Sequence, residues 1–397
     1  MRGGALLEDI AVNILAFEQA FPDYPFLHVY FGPQAWRERA ASVTPGQAYD
    51  RLQELAGQLG GIDDEFPRFR RTYVADLIRS VIAQADLFLH GRNPPSVGHA
   101  AASFLGIDLA PPFDLDQEAG ALERRLGELG YESLAACQEA RAAHRITGFD
   151  TARELIADRL AEAKRMAQSR LAPLLPCDLD SILAKSSISV ERGPPGPPGC
   201  YRHDGGYSGT VMIGVDGALL EDFVTGLLFH EAIPGHHLYY MVRRAGLEGG
   251  GASSADAVEA IDTFYSPENA VNEGIAMNAD MIFGAELPRQ ITAALLVEKF
   301  LHKLFYNAWH QVNVEGRPAD FALWRRLAFD IGLPDQDIAR EMQYRTEEAR
   351  YYIPCYPLGI RLVEGMLAEF GDAVLPLLYA QHSAATLDKV AQHLRAS

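Results

Sequence analysis

Cysteine is scarce in this chain, basic residues are outnumbered, and no apolar run is long. The four cysteines, Cys137, Cys177, Cys200 and Cys355, lie far apart with no Cys-x-x-Cys spacing. That excludes a thiolate zinc site or redox dithiol and leaves free thiols in a reducing compartment as the expectation. With 35 basic against 53 acidic side chains, the formal charge is -18. Such a chain repels phosphate backbones and anionic bilayer surfaces, so neither nucleic acid nor membrane is an expected partner. Nowhere do about eighteen apolar residues run together, so no segment can span a bilayer. Glu8 and Asp9 interrupt the first apolar run, which does not fit a secretory signal; a cytoplasmic protein is expected.

Strand-like alternation is scarce too, and helical periodicity takes its place. Apolar residues make up 48% of 397, enough for a substantial core. One stretch runs Phe149, Ala152, Leu155, Ile156, Leu160, Ala163, Met166 and Ala167 at helical spacing. Similar patterns cover about 5–20, 46–60, 68–90, 116–145, 219–243, 270–283, 288–313, 319–330, 335–350 and 358–395. The expected fold is mainly α, with a helical region over 1–175 and a second helical region over 176–397. Candidate lobe boundaries are the Pro/Gly-rich stretch around 91–113 and the prolines near 173–176. The exception to the helical pattern is 187–215, where Ser187–Val190 and Tyr207–Val215 alternate around a Gly/Pro insert at 193–199. A short β-hairpin is expected there, with the insert as a polyproline-like surface loop at the rim of a cleft.

Leu219–Phe229 reads as a helix leading into His230-Glu231-Ala232-Ile233-Pro234-Gly235-His236-His237. The His-Glu pair is like the opening of the zincin motif H-E-x-x-H, whose second histidine lies four residues on and shares one metal with the first. Here the next histidines are six and seven residues on. On a regular helix His236 sits roughly 240° away from His230, and His237 sits about 10.5 Å along the axis. Neither could share an ion. Pro234 cannot continue the hydrogen-bond ladder and clashes with the carbonyl of His230, so the helix is expected to bulge. Gly235 makes that geometry accessible and returns one of the two histidines to the metal, His236 being favoured over His237.

A catalytic zinc keeps three protein ligands and leaves the fourth position to water. Asn272-Glu273-Gly274-Ile275-Ala276-Met277-Asn278-Ala279-Asp280 begins a helical pattern with Glu273 in its first turn. Gly274 leaves room for another backbone, and Glu273 is the candidate third ligand.

HEAIPGHH followed some forty residues later by NEGIAMNAD resembles the bacterial DUF885 family, whose pattern is HEAxPGHH and then EGWALYAE. The likeness covers roughly 185–385, in a chain shorter than typical members. Ser208-Gly209-Thr210 stands at a Pro-Gly-containing loop of the family, and Arg350-Tyr351 at its Arg-Tyr before PGQALSYK. The resemblance implies a mostly helical, zincin-like (gluzincin) metallohydrolase that binds one zinc ion through His230, His236 or His237, and Glu273. Glu231 would be the general base. This sequence departs from the pattern at Ile275 and Asn278, where the family has Trp and Tyr. It departs again at Pro354–Arg361, which loses a Gln and a Tyr.

The expected reaction is hydrolysis of an amide or peptide bond in a small peptide or amide-containing molecule, by metal-activated water with Glu231 as base. Tyr351, Tyr352 and His203 are candidates to stabilise the oxyanion. Arg350 is a candidate to grip a substrate carboxylate, and Ser208, Gly209, Tyr356 and Arg361 to line the pocket. Asp280 and Asn272 are candidates to orient a ligand histidine from behind. Two alternatives remain at this stage: a zinc enzyme running another reaction, such as a lyase or cyclisation step, and a non-catalytic scaffold that keeps the metal site.

Overall fold

Five described helices start at side-chain caps. Thr44 and Gln47 form a reciprocal capping box, and Ser96, Asp114, Ser133 and Asp178 each accept a backbone N–H of the first turn they precede. The computed structural model describes residues 2–21, 26–193, 199–214, 218–250, 254–318 and 343–396. The helical patterns expected at 319–330 and 335–342, and the core of the Gly/Pro insert at 194–198, lie outside them.

The described fold is mainly helical. In chain order it has α1 (Arg2–Leu15), β1 (Leu27–Tyr30), α2 (Gln34–Ala40), α3 (Pro45–Ala56), α4 (Arg70–Phe88), α5 (Val97–Phe104), α6 (Leu115–Glu128) and α7 (Leu134–Ala142). Next come β2 (Arg145–Thr147), α8 (Phe149–Arg170), α9 (Leu179–Lys185), β3 (Ser187–Arg192), β4 (Gly199–Gly205), β5 (Ser208–Ile213) and β6 (Ala218–Leu220). The metal-motif region holds α10 (Glu221–Glu231), α11 (His236–Gly250), β7 (Ile261–Thr263), α12 (Asn269–Met277), α13 (Ala279–Phe283) and α14 (Arg289–Asn313). A π-helical turn at Tyr344–Glu348 precedes α15 (Cys355–Phe370), α16 (Leu375–Leu378) and α17 (Ala384–Ala396). No described helix is long and apolar enough to cross a membrane.

Residues before and after 175 share their cores. The largest core joins Ala152, Ile156 and Met166 of α8 to Leu228 and Phe229 of α10 and Tyr239 and Tyr240 of α11. A second joins α1, α3 and α4 to Leu247 and the segment 257–261, and β1 pairs antiparallel with β7. All four cysteines are free thiols.

The strands differ from the expected hairpin. Ser187–Arg192 does form a strand, but it pairs parallel with β5. The hairpin is made by β5 with β4, a strand that periodicity misses. Its residues Arg202, His203 and Asp204 are polar, so no apolar alternation marks it; the signal that was there is Gly205-Gly206, both at positive φ in the turn. The sheet order is β3-β5-β4. That leaves β4 at an edge, beside α10 and α11.

Helices α12 and α15 cross at backbone contact. A Cβ on Gly274 would stand 2.4 Å from the Gly359 carbonyl oxygen, and one on Gly359 would stand 2.1 Å from that of Ala270. The room that Gly274 leaves is filled by α15, and this crossing holds Glu273 and Tyr352 side by side.

Candidate metal centre

The expected bulge is a full break. Helix α10 ends at Glu231, Ala232 leaves helical geometry at φ -117° and ψ -83°, and α11 starts afresh at His236. The turn is closed by Gly235 N–H donating to the Phe229 carbonyl at 3.0 Å and by the buried Tyr379 hydroxyl donating to the Pro234 carbonyl at 2.8 Å. A proline bends a helix only slightly if its neighbours stay helical; here the residue after it is one that needs no Cβ space. A Cβ on Gly235 would lie 1.8 Å from the His230 carbonyl oxygen, and backbone on both sides cannot step aside. Gly235→Ala is therefore expected to destabilise the fold by at least about 3 kcal/mol, the upper end of overpacking costs. Urea denaturation checks this.

The break brings His230 and His236 together, their rings nearly perpendicular with centroids 4.7 Å apart. Their Nε2 atoms are 3.2 Å apart, and Glu273 Oε2 lies 3.2 Å from that of His230 and 3.7 Å from that of His236. Tetrahedral zinc with ligands at about 2.0–2.2 Å has ligand–ligand edges of about 3.3–3.6 Å, so the three atoms match one triangular face. Glu273 Oε2 is buried and has no hydrogen-bond partner, whereas Oε1 accepts from the Tyr352 hydroxyl at 2.6 Å. Buried carboxylate oxygens are rarely left unmet. Glu231 also comes near, with Oε2 4.0 Å from His236 Nε2, and one ligand atom each from His230, Glu231 and His236 lies within 4.8 Å of the others. Glu273 completes the tighter triangle and is the better third ligand. An ion on that triangle would leave Glu231 beside it rather than on it.

Hydrogen bonds behind His236 fix its tautomer. The Tyr240 hydroxyl meets Asp262 Oδ2 at 2.5 Å, and a carboxylate can only accept, so Tyr240 donates there and accepts from Asn272 Nδ2 at 3.1 Å. Asn272 Oδ1 then faces His236 Nδ1 at 3.0 Å, which must carry the proton. The Nε2 lone pair is left for a metal. Asn272 thus takes the orienting position considered for Asp280, which instead pairs with buried Lys299 at 2.7 Å.

His237 points elsewhere. Its Nε2 meets Ser186 Oγ at 2.6 Å and its Nδ1 the Tyr201 hydroxyl at 3.0 Å, so both ring nitrogens are occupied. Burial, with His203 and Lys164 nearby, depresses its pKa to about 3, and it stays neutral. His203 packs edge-on against the Phe31 ring with Nδ1 3.4 Å from the same Tyr201 hydroxyl. Arg350 donates to Tyr351 and lies over its ring, Tyr351 abuts Phe104, and Arg361 lies over Phe113. Ser208 bonds Ser187, and Gly209 is pressed against Tyr201. None of these lines the cleft that reaches the metal triad.

That cleft has a cavity volume of about 130 Å³ beside His230 and Glu231. Phe223, Leu227, Met277 and Leu295 make an apolar wall, and Gly199 of β4 part of the rim. Of the residues expected to bind substrate, Tyr356 is present: its ring stacks on His302 at 4.8 Å and faces His230 at 6.4 Å. His302 and Arg345 also line it, their side chains 3.3 Å apart. Neither carries a local motif; a charged residue in a helical pattern and a histidine on a long helix give periodicity no reason to single them out.

With that geometry in view, comparison with known proteins adds a fold. The chain superposes on the crystal structure of a proposed lipoprotein from Colwellia psychrerythraea with TM-score 0.54 and 16% identity, covering 88% of this chain and 66% of that one. They share the fold. This chain therefore spans just under two thirds of that protein's length. A proposed lipoprotein of unknown function from Shewanella oneidensis matches at TM-score 0.48 and 13% identity, over 92% of this chain and 68% of its own. No protein-family model matches the chain, and no curated protein matches it.

The electrostatics of the triad set a pH dependence. Burial by itself would lower the pKa of His230, but the carboxylates of Glu231 and Glu273 outweigh it and lift it to about 9. Burial lowers that of His236 to about 4 against the pull of Glu273. A divalent ion bound there would compete with one proton, on His230, at every pH below about 9. Zinc affinity is expected to rise about tenfold per pH unit between pH 6 and 8, with about one proton released per ion. Chelator competition across that range, with calorimetry in buffers of different ionisation enthalpy, measures both quantities.

Proposed function

We propose that this chain is a zinc-dependent hydrolase of amide or peptide bonds with a zincin-like fold, in keeping with its resemblance to the DUF885 pattern. One observation carries the reading: the unmet Glu273 Oε2 stands against two imidazole Nε2 atoms at the edge lengths of a zinc tetrahedron. Zinc bound there would supply a water acidified towards neutrality and a Lewis acid for the scissile carbonyl.

The protein's own residues do the rest. Glu231 is 4% exposed; burial raises its pKa to about 7, Glu273 adding to the rise and His230 opposing it. A carboxylate poised there can take a proton from water and return it to a leaving amine. Tyr352 holds Glu273 rather than facing substrate, and Asn272 holds His236. Tyr356 and Tyr344 are the phenols in the cleft wall. A peptide fits the walls: β4 pairs only with β5 among the described residues, and Gly199 at its start rims the cleft. An extended backbone can add to that edge, with an apolar side chain against Phe223 and Leu227.

The test is metal analysis followed by mass spectrometry of a defined peptide mixture in water enriched in oxygen-18. The expected result is about one zinc per chain and new carboxyl termini that carry the label. Absence of near-stoichiometric metal would overturn the reading, and turnover without label would favour a lyase or cyclisation reaction.

A further inference from the structure

We infer that a second cavity, on the outer face of α11, is a binding site for a compact oxyanion, a carboxylate- or phosphate-bearing small molecule. It lies between the N-terminus of α4, the face of α11 that carries Val242, Arg243 and Leu247, and the segment Pro376–Gln381. It has a cavity volume of about 260 Å³ and shares no lining residue with the metal cleft.

Three of its lining residues have polar atoms that no described residue satisfies. The Tyr73 hydroxyl, Arg243 Nε, and both polar atoms of the Gln381 amide are buried without a hydrogen-bond partner. Tyr73 is 2% and Arg243 7% exposed. Such groups cost free energy unless something meets them. Other polar atoms nearby are fully used: Arg243 Nη1 bonds both oxygens of Glu268 at 3.0 and 2.9 Å, and Nη2 the Glu259 carbonyl at 2.7 Å. The unmet set is therefore the surplus left after internal pairing. It is rich in donors, an O–H, a guanidinium N–H and an amide NH₂, against one amide carbonyl. Its complement is a ligand rich in acceptors.

Charge points the same way. Arg68, Arg70 and Arg243 line the cavity against one lining carboxylate, Glu259, which already pairs with Arg68 at 3.2 Å and Arg70 at 2.6 Å. Glu268, behind the wall, balances Arg243. The residue between the two mouth arginines, Phe69, sits at φ 42° and ψ 49°, a left-handed conformation that a bulky residue adopts only at a cost. The surrounding fold holds it there and sends both neighbouring arginines to the cavity.

Calorimetric titration of the full chain with inorganic phosphate, and separately with succinate, tests the site and tells the two sources apart. One saturable site for at least one of them is expected. Tyr73→Phe and Gln381→Leu, each removing unmet polar atoms at nearly constant shape, should weaken it at least about fivefold. Arg68→Gln, at the exposed mouth, should weaken it too without touching the core. His230→Ala should leave the affinity unchanged, because an anion held by zinc would depend on that residue. Two results would overturn the inference: no saturable binding of either anion into the tens of millimolar, as for a cavity that holds only water, or binding lost in His230→Ala and kept in the Tyr73 and Gln381 variants.

Discussion

Glu273→Ala is expected to lower zinc affinity by at least about 100-fold, more than the loss of an orienting partner behind a ligand costs. The reason is positional. Glu273 is 3% exposed, its Oε2 has only the two imidazoles for company, and α12 is locked against α15 by the Gly274–Gly359 contact. Glu273→Gln separates charge from shape: it can still accept from the Tyr352 hydroxyl, yet it removes the negative charge that the ion needs. Both variants should lose the zinc-dependent rise in melting temperature. A ligand present at 100 times its Kd stabilises by about 2.7 kcal/mol, and a 100-fold loss of affinity brings that to about 0.4 kcal/mol. Metal analysis after dialysis and thermal melts with and without zinc provide the readouts. If Glu273→Ala keeps one tightly held zinc, the ligand set is instead His230, Glu231 and His236, and Glu231 is no longer available as base.

Much of this site was legible because the sequence broke a rule. Two histidines six positions apart, His230 and His236, cannot share a metal on a regular helix, and Pro234-Gly235 shows where regularity stops. The choice between His236 and His237 was not legible, since it depends on the direction in which α11 sets out, and that is fixed from outside by Tyr379 and by the Gly235 backbone contacts. Glu273 stood out by resemblance and Asn272 by adjacency, but the chain from His236 through Asn272 and Tyr240 to Asp262 joins α11, α12 and β7. No local pattern announces a relay assembled from three elements. The cleft was the least readable part. Arg345 and His302 meet from segments more than forty positions apart, while Arg350, placed by the family resemblance, and Arg361 spend their charge on the Tyr351 and Phe113 rings.

Glu231→Gln should separate chemistry from metal. Zinc stoichiometry is expected to stay near one per chain, because the three ligand atoms come from elsewhere, while turnover of an identified substrate falls by about 10²- to 10⁴-fold, the usual worth of a positioned base. In the wild type only the ionised carboxylate can accept a proton, so activity should rise with pH through a limb at or below about 7, and that limb should vanish from whatever activity the variant keeps. A second readout does not depend on substrate. The pKa of Glu231 is raised from 4.5 in the unfolded chain to about 7 in the folded one, so the folded state binds its proton more tightly. The sign follows: Glu231 favours folding below about pH 4.5 and costs stability progressively as pH climbs towards 7. Glutamine carries no charge to desolvate, so the zinc-free variant should melt above the zinc-free wild type at pH 8 and alongside it at pH 4. A variant that is less active, still zinc-bound and more stable at pH 8 is what a base held at the expense of the fold predicts. One that is equally active, or that loses its zinc, places Glu231 outside that role.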